Sequence, residues 1–216
     1  MIGQLEQAAA RPVSRETFDK IRSYVNLLQA ESRRQNLISA TSAEQLWERH
    51  ILDSAQLVRF EPQPRASWAD IGSGAGLPGI VIACLVEGRV TLIEPRKLRA
   101  EFLAQVVSQL DLNAVVLATR AEKASGQFDV ITGRAVARLS DFLQLSAHLS
   151  TRKSVWALPK GRSAQLELVE AQRTWQGTFH VEQSVTDPGS YIVVGTGVRA
   201  KQNDPHRGSQ SKRRGR

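Results

Sequence analysis

The chain has 216 residues, 41% hydrophobic and 23% charged, which is enough to bury a sizeable core in one domain, with or without a small appendage. A single cysteine, Cys84, excludes an internal disulfide framework, no apolar run approaches the roughly 18 residues of a membrane helix, and no secretory leader is visible, so a reducing cytoplasm is expected. The net charge of +8 is concentrated at one end, because residues 199–216 carry seven basic side chains and one acid, and residues 1–198 carry only +2.

The N-terminal part, residues 1–60, is predicted to be a helical extension. Ser14 can cap an amphipathic helix over residues 14–35, whose apolar side chains recur at helical spacing. A second helix is announced by an S-x-x-Q capping box formed by Ser42 and Gln45. A short segment with two prolines then separates the extension from the next domain.

Residues 61–198 read as one domain in which strand-like and helix-like segments alternate. The predicted strands are 67–71, 89–94, 114–118, 128–132 and 154–158, and the predicted helices are 79–86, 97–110, 139–149 and 162–175. Two more strands, 178–185 and 190–195, are joined by the turn sequence Asp187-Pro188-Gly189. This pattern predicts an α/β, Rossmann-like fold: a mostly parallel seven-stranded sheet with a C-terminal antiparallel hairpin, the layout of class I S-adenosylmethionine-dependent methyltransferases.

A glycine-rich loop follows the first predicted strand, and two ligand fingerprints overlap in it. Gly74, Gly76 and Gly79 spell the G-x-G-x-x-G of dinucleotide-binding proteins. Asp70 and Gly72, followed by the first two of these glycines, spell the D-x-G-x-G-x-G of S-adenosylmethionine loops. Either pattern predicts a crevice at the carboxyl edge of the sheet.

Three residues weigh on the choice of ligand. Asp70 suits a ligand with an ammonium and a sulfonium charge and would repel a pyrophosphate. Pro78 lacks the N–H that a phosphate at a helix start would use. Glu94, at the end of the next strand, can bind ribose hydroxyls under either interpretation. The loop therefore favours S-adenosylmethionine over a dinucleotide or a merely structural turn.

Loops that follow the later strands supply further candidates, each with a plainer alternative. Ala121 and Glu122 border the expected adenine pocket, although Glu122 also fits an ordinary acid at a helix start. Arg134 follows the fourth strand, where it can bind phosphate or a base edge, or pair with an acid. Lys160 follows the fifth strand and is either a phosphate contact or a solvated loop charge.

His50 and Asp53 are three residues apart on the second helix and so share a face. The favoured interpretation is a helix-packing or capping hydrogen-bond pair. The alternative places this face beside the pocket, where both residues would position substrate. No metal site is expected, because the four histidines are scattered without ligand spacing.

Several of these motifs occur together in one known family. They are Arg49-His50-Ile51-Leu52-Asp53-Ser54, the loop from Asp70 to Ile80, Glu94, Ala121-Glu122, Arg134-Ala135 and Lys160-Gly161. On them the chain resembles, from Val25 to about Gly195, the bacterial small-subunit ribosomal RNA guanine-N7 methyltransferase G family, also called the glucose-inhibited division protein B family.

The resemblance implies methyl transfer from S-adenosylmethionine to N7 of one guanine in the decoding region of 16S ribosomal RNA, with the RNA or a small-subunit assembly particle as partner. Carried over by motif, the cofactor contacts are Gly72, Leu77, Ala121, Glu122 and Arg134, with Glu94 on the ribose. A monomer is expected, with the basic tail 199–216 against RNA phosphates or merely solvated.

The chemistry of the residues agrees with N7 as the acceptor. N7 carries an in-plane lone pair, so no proton must leave and no general base is required. Cys84 lies in an apolar helix and suits a core position better than a nucleophile for pyrimidine C5. The alternatives are a methyltransferase of another RNA, a protein or a small molecule, a non-catalytic nucleotide-binding RNA chaperone, and, as the least favoured, an NAD-dependent oxidoreductase.

Overall fold

A mixed seven-stranded sheet forms the centre of the protein in the computed structural model, which describes residues 1–38 and 45–201. The strands are β1 (Trp68–Ile71), β2 (Val90–Ile93), β3 (Ala114–Leu117), β4 (Phe128–Thr132), β5 (Ser150–Lys160), β6 (Trp175–Gln183) and β7 (Tyr191–Ala200). Their order is β3-β2-β1-β4-β5-β7-β6. The first five are parallel, whereas β7 is antiparallel to both β5 and β6.

The helices surround this sheet. They are α1 (Ile2–Ala9), α2 (Arg15–Gln35), α3 (residues 47–60), α4 (Gly79–Leu85), α5 (Lys97–Gln109), α6 (Leu139–Ser146) and α7 (Ala164–Ala171). Helix α3 is irregular, because a π-helical turn is followed by one α-helical turn and a 3₁₀ turn. None of the helices described has the length and apolar character needed to cross a membrane.

The predicted fold class and the presence of all seven predicted strands are confirmed. Strand β5 begins four residues earlier than predicted, β6 begins three residues earlier, and β7 ends five residues later. The predicted helix over residues 162–175 is too long, because the helix ends at Ala171 and Trp175 already belongs to β6. The predicted cap is also present, since the Ser14 hydroxyl accepts a hydrogen bond from the Thr17 amide at 3.0 Å. Helix α1 was not predicted, because it is short and buries only one large side chain, Leu5, with two alanines. Ser42 of the expected capping box lies outside the described residues.

Two apolar cores lie on the two faces of the sheet. Helices α1 to α5 pack on one face, and α6 and α7 pack on the other. All four residues of β1 are buried, as expected of a parallel strand covered on both sides. The largest fully buried side chains include Trp68 on β1 and Trp156 on β5. The N-terminal helices therefore share a core with the sheet and lie over the carboxyl ends of its strands.

Candidate active site

The glycine loop between β1 and α4 has a backbone path that side chains would obstruct. Gly72 has a φ of +66°, and a Cβ there would lie 2.8 Å from a methyl carbon of Val136. Gly76 has a φ of +97°, and its Cβ would lie 2.7 Å from Ile80. Both positions require glycine, because the backbone is left-handed there and a side chain would also collide with its neighbours.

Asp70, at the end of β1, lies underneath this loop with no exposed surface. Its Oδ2 accepts a hydrogen bond from the Gly79 amide at 3.1 Å, and its Oδ1 has no partner in the part of the chain that the structure describes. Burial raises the pKa of this carboxyl to about 7, despite the hydrogen bonds and the charge of Arg134 that act to lower it.

This environment corrects the role expected of Asp70. The sequence pattern predicts a negative charge against an ammonium or sulfonium group. In the structure the carboxyl is sealed under the loop and burial raises its pKa to about 7, so it is only partly ionised at neutral pH. Asp70 therefore organises the start of α4, and its charge is a weak criterion for choosing between ligands.

Two side chains from other elements hold the loop in place. The Glu94 carboxylate, only 3% exposed, accepts hydrogen bonds from the amides of Gly74 and Arg96, both at 2.8 Å. The Tyr24 hydroxyl of α2 donates to the Ala75 carbonyl at 2.9 Å. The loop is thus fixed from β2 on one side and from the N-terminal extension on the other.

A first cavity of about 310 Å³, here called the loop cavity, opens beside this loop. Its walls are residues 72–75 and Leu77 of the loop, Leu37 and Ile38 after α2, Arg99 of α5, and His50, Arg134 and Ala135. Of the predicted cofactor contacts, Gly72, Gly74, Leu77 and Arg134 line it.

The other predicted contacts lie outside these walls. Gly76 faces the packing under the loop, and Glu94 lies behind the loop amides. Ala121 and Glu122 form a 3₁₀ turn after β3, in which Ala121 is buried and Glu122 is exposed. Their contact with a cofactor stays a prediction.

A second cavity of about 480 Å³, here called the hairpin cavity, lies between α3, the ends of β4 and β5, and the hairpin β6–β7. It shares three wall residues with the loop cavity: His50, Arg134 and Ala135. Ala135 has a φ of +57°, a strained conformation for a residue with a Cβ, and such strain concentrates at functional sites. The two cavities therefore adjoin across the loop that follows β4.

Six charged residues in the walls of the hairpin cavity form three ion pairs. They are Arg49 with Asp187 at 4.0 Å, Arg134 with Asp53 at 3.7 Å, and Lys160 with Glu167 at 2.9 Å. The wall thus combines equal numbers of cations and carboxylates and has no excess of positive charge.

Lys160 is not the solvated loop charge of one interpretation, and its contact with a phosphate stays a prediction. Its ammonium group donates to the Ala137 carbonyl at 2.8 Å and pairs with Glu167, and its side chain is only 12% exposed. Although burial alone would raise the pKa of Glu167, hydrogen bonds from Lys160, Ser163 and the Leu139 amide hold it below its usual value. Lys160 is therefore a tethered structural cation that joins β5 to α6 and α7.

Asp53 joins three distant segments at one edge of the hairpin cavity. Its Oδ1 accepts hydrogen bonds from Gln56 at 2.7 Å, Thr186 at 3.0 Å and Ser184 at 3.2 Å, while its Oδ2 faces Arg134. The favoured prediction of a hydrogen-bond pair with His50 is wrong, because the carboxylate binds the hairpin and the loop after β4. The alternative, a position beside the pocket, agrees with the structure.

His50 lies between the two cavities, and neither of its ring nitrogens has a hydrogen-bond partner among the described residues. Burial, together with the positive charges of Arg134 and Arg49, lowers the pKa of its imidazole to about 4. The ring is therefore neutral at physiological pH.

Tyr24, Gln56 and Arg99 are site residues that the sequence analysis missed. Tyr24 sits at a core position of an amphipathic helix, where an aromatic residue signals packing alone. Arg99 lies on a helix without any motif around it, and Gln56 lies just beyond the Arg49–Ser54 motif, which does not include it. Among residues 1–38 and 45–201, no group of three or more His, Cys, Asp or Glu side chains could hold a metal ion.

Comparisons with known proteins agree on one family. A family model described as rRNA small subunit methyltransferase G matches residues 17–190. The "Ribosomal RNA small subunit methyltransferase G" of Zymomonas mobilis is 43% identical over 198 residues, which cover 88% of this chain and 90% of that protein. The protein of the same name from Erythrobacter litoralis is 44% identical over 207 residues, covering 93% and 100% respectively.

Solved structures share the fold at lower sequence identity. A SAM-dependent methyltransferase from Aquifex aeolicus superposes with a TM-score of 0.58 at 15% identity, covering 77% of this chain and 97% of that one. TYW2 of M. jannaschii, in complex with AdoMet, superposes with a TM-score of 0.54 at 15% identity, covering 70% and 76%. These similarities concern the fold alone.

Proposed function

Because this chain belongs to the rRNA small subunit methyltransferase G family, we propose that it transfers the methyl group of S-adenosylmethionine to N7 of a guanine in the decoding region of 16S ribosomal RNA. The enzyme class, the cofactor and the ribosomal RNA substrate follow from the family. The position of the methyl group and the roles of individual residues rest on the arrangement of the two cavities.

The adjoining cavities carry the proposal. S-adenosylmethionine occupies the loop cavity, where Gly72, Gly74 and Leu77 leave the backbone open to close approach. The target nucleotide enters the hairpin cavity, whose volume is in the range usual for small-ligand sites. Since His50, Arg134 and Ala135 belong to both walls, the methyl group and the base meet at this boundary.

The reaction does not require the protein to transfer a proton before the methyl group moves. The N7 lone pair attacks the methyl carbon in line with the carbon–sulfur bond, and the sulfonium leaves as a neutral thioether. No proton has to be removed before attack, so the enzyme acts by holding the two atoms at near-attack distance and by excluding water. Arg134 positions the cofactor or a phosphate and stays off N7.

The balanced charges of the hairpin cavity suit this product. Guanine becomes positively charged as its N7 is methylated, so an uncompensated cation beside it would oppose the reaction. Each wall cation is paired with a carboxylate, as in the contact of Arg134 with Asp53. This arrangement accepts a neutral base that turns cationic better than it accepts a phosphate.

Ribosomal RNA reaches such a cavity only as an extruded or unstacked nucleotide. We infer that surface cations outside the cavity, including those of the tail 199–216, contact the neighbouring phosphates. In this proposal the enzyme acts as a monomer in the cytoplasm, where ribosomal subunits are assembled. If the tail makes phosphate contacts, its removal flattens the dependence of RNA affinity on salt, whereas an unchanged slope contradicts this role.

Mapping of 7-methylguanine tests the proposed function. Borohydride reduction followed by aniline cleaves RNA at this base, so 16S RNA from the parent strain should be cut at one site that a deletion strain leaves intact. Purified enzyme should restore the cut in unmethylated RNA or subunits when S-adenosylmethionine is added. A cleavage pattern that is identical in both strains, together with methyl transfer to another position or substrate, would refute the N7 assignment.

Arg134→Ala tests the role of the residue shared by both cavities. We expect weaker binding of adenosylhomocysteine or of RNA, measured by calorimetry and filter binding. Arg138→Ala is a matched control, because Arg138 lies four residues along the chain, pairs with Glu170 on the surface and lines neither cavity. Unchanged affinity for both ligands in Arg134→Ala would contradict the proposed role.

A further inference from the structure

His50 presents a polar group that the fold itself does not use. Both ring nitrogens are removed from solvent and have no hydrogen-bond partner among residues 1–38 and 45–201, although buried polar atoms are nearly always paired. The backbone of the residue is well held, because the His50 carbonyl accepts a hydrogen bond from the Ser54 hydroxyl at 2.6 Å. The unpaired ring therefore lies on a fixed segment at the boundary of the two cavities.

A rotation of the ring would change which of its atoms face the cavities. The residue as a whole is partly exposed, while its nitrogens are not, so its accessible surface belongs to its other atoms. A half-turn about the Cβ–Cγ bond exchanges Nδ1 with Cδ2 and Nε2 with Cε1. This half-turn gives up the interaction with the Arg49 backbone, which acts to raise the pKa of the imidazole without the geometry of a full hydrogen bond, and a hydrogen bond to a ligand would replace it.

The ring also keeps the charge state that the reaction needs. The charged neighbours that face it are Arg134 and Arg49, and together with burial they lower the pKa of the imidazole. A neutral imidazole offers one N–H donor and one lone pair. It can bind a base edge without placing a second positive charge beside the methylated guanine.

We propose that His50 is a base-recognition residue of the hairpin cavity, whose neutral imidazole donates a hydrogen bond to O6 of the target guanine. This inference rests on the proposed function, because it assumes that the guanine occupies that cavity. O6 lies beside N7 on the same edge of the base, so a donor there fixes the edge that must face the methyl group.

The same contact selects guanine over adenine. Adenine also carries N7, but it has an amino group in place of O6 and therefore presents a donor where guanine presents an acceptor. The imidazole N–H of His50 would meet that amino group donor to donor. The base 2,6-diaminopurine keeps N7 and the amino group at C2 but replaces O6 by an amino group, which also turns N1 from a donor into an acceptor. It therefore tests recognition of the O6–N1 side of the base at nearly unchanged shape.

The experiment compares the wild-type enzyme, His50→Phe and His50→Gln on unmethylated small-subunit RNA. The target guanine, located by the cleavage mapping, is kept or is replaced by 2,6-diaminopurine through RNA ligation. Kinetics of tritiated methyl transfer give kcat/KM for each substrate, and calorimetry gives the affinity for adenosylhomocysteine. His180→Phe is the control, because His180 is exposed on β6 and lines neither cavity.

We expect His50→Phe to lower kcat/KM for guanine by roughly 10- to 100-fold, the usual worth of one base-edge contact, and to leave the slow reaction with 2,6-diaminopurine unchanged. Adenosylhomocysteine should bind as in the wild type, and His50→Gln, which also has a donor, should recover part of the rate. His180→Phe should behave as the wild type.

Equal losses on both bases, an unchanged rate on guanine, or a parallel loss of adenosylhomocysteine affinity would each overturn the assignment. If His50→Phe does not fold, His50→Ala gives the same comparison without the bulk of the ring. Failure of the wild type to methylate guanine N7 would instead refute the proposed function, so the two failures are distinguishable.

Discussion

Substitution of Asp70 by asparagine should change how the stability of the protein depends on pH. Burial raises the pKa of this carboxyl from its ordinary value of 3.8 to about 7. Well below pH 3.8 the carboxyl is protonated in both the folded and the unfolded chain, so the pKa difference has no effect on stability. As the pH rises, the unfolded chain ionises first, and the folded state loses free energy relative to it until the pH passes the folded pKa.

The size of this loss follows from the two pKa values. The penalty is roughly 2 kcal/mol at pH 5 and roughly 4 kcal/mol at pH 8, since each unit of pKa corresponds to about 1.4 kcal/mol. Asp70→Asn carries no such penalty, but its amide N–H₂ occupies a site without an acceptor among the described residues and costs about 1–3 kcal/mol. That cost is independent of pH, so the variant should gain roughly 2–3 kcal/mol on the wild type between pH 5 and pH 8.

Urea unfolding followed by tryptophan fluorescence at the two pH values measures this difference. Asp141→Asn is the control, because Asp141 is exposed on α6 and its substitution changes the net charge equally. The control should follow the wild type within about 0.5 kcal/mol, as expected of surface substitutions. Parallel pH profiles for Asp70→Asn and the wild type would refute the argument that burial keeps this carboxyl neutral.

Three further substitutions or treatments test the loop and its support. Tyr24→Phe removes the hydroxyl that holds the loop and should weaken adenosylhomocysteine binding about tenfold. Calorimetry measures this affinity, and an unchanged value would contradict the role of the hydroxyl. Gly72→Ala places a Cβ on left-handed backbone and against Val136, so it should abolish adenosylhomocysteine binding. Gly161→Ala is the control and should bind normally, because a Cβ there meets nothing within 4 Å; equal affinities of the two variants would contradict this reasoning. Burial raises the pKa of the Cys84 thiol to about 12, although the residue is partly exposed, so iodoacetamide should label it slowly in the folded protein and rapidly in urea. Equal labelling rates in both conditions would contradict this reasoning.

Local sequence patterns were sufficient to predict the order of strands and helices along the chain, although not the order of the strands within the sheet. The glycine loop could also be predicted from the sequence, because the left-handed backbone of Gly72 and Gly76 is a local requirement that only glycine meets without strain. The antiparallel hairpin was signalled by turn residues such as Asp187, whose carboxylate binds the Gly189 amide at 2.8 Å. Each of these features depends on neighbours within a few residues.

The contacts that build the site depend on residues far apart along the chain. Asp53 binds Thr186 across 133 residues, and Tyr24 reaches the glycine loop across 51. A sequence pattern reports the spacing of residues along one element, and it is silent on which elements pack together. For this reason the sequence predicts a hydrogen-bond pair between His50 and Asp53 on one helix, and only the tertiary structure shows that Asp53 binds other partners.

The charge states at the site were likewise decided by the fold. An aspartate or a histidine has a known pKa in water, but its value in the protein depends on how completely neighbouring elements exclude solvent. Asp70 and His50 both shift towards their neutral forms because they are buried at the carboxyl edge of the sheet. The sequence by itself determined the scaffold and the place of the glycine loop, while tertiary packing determined which side chains meet there and which of them carry charge.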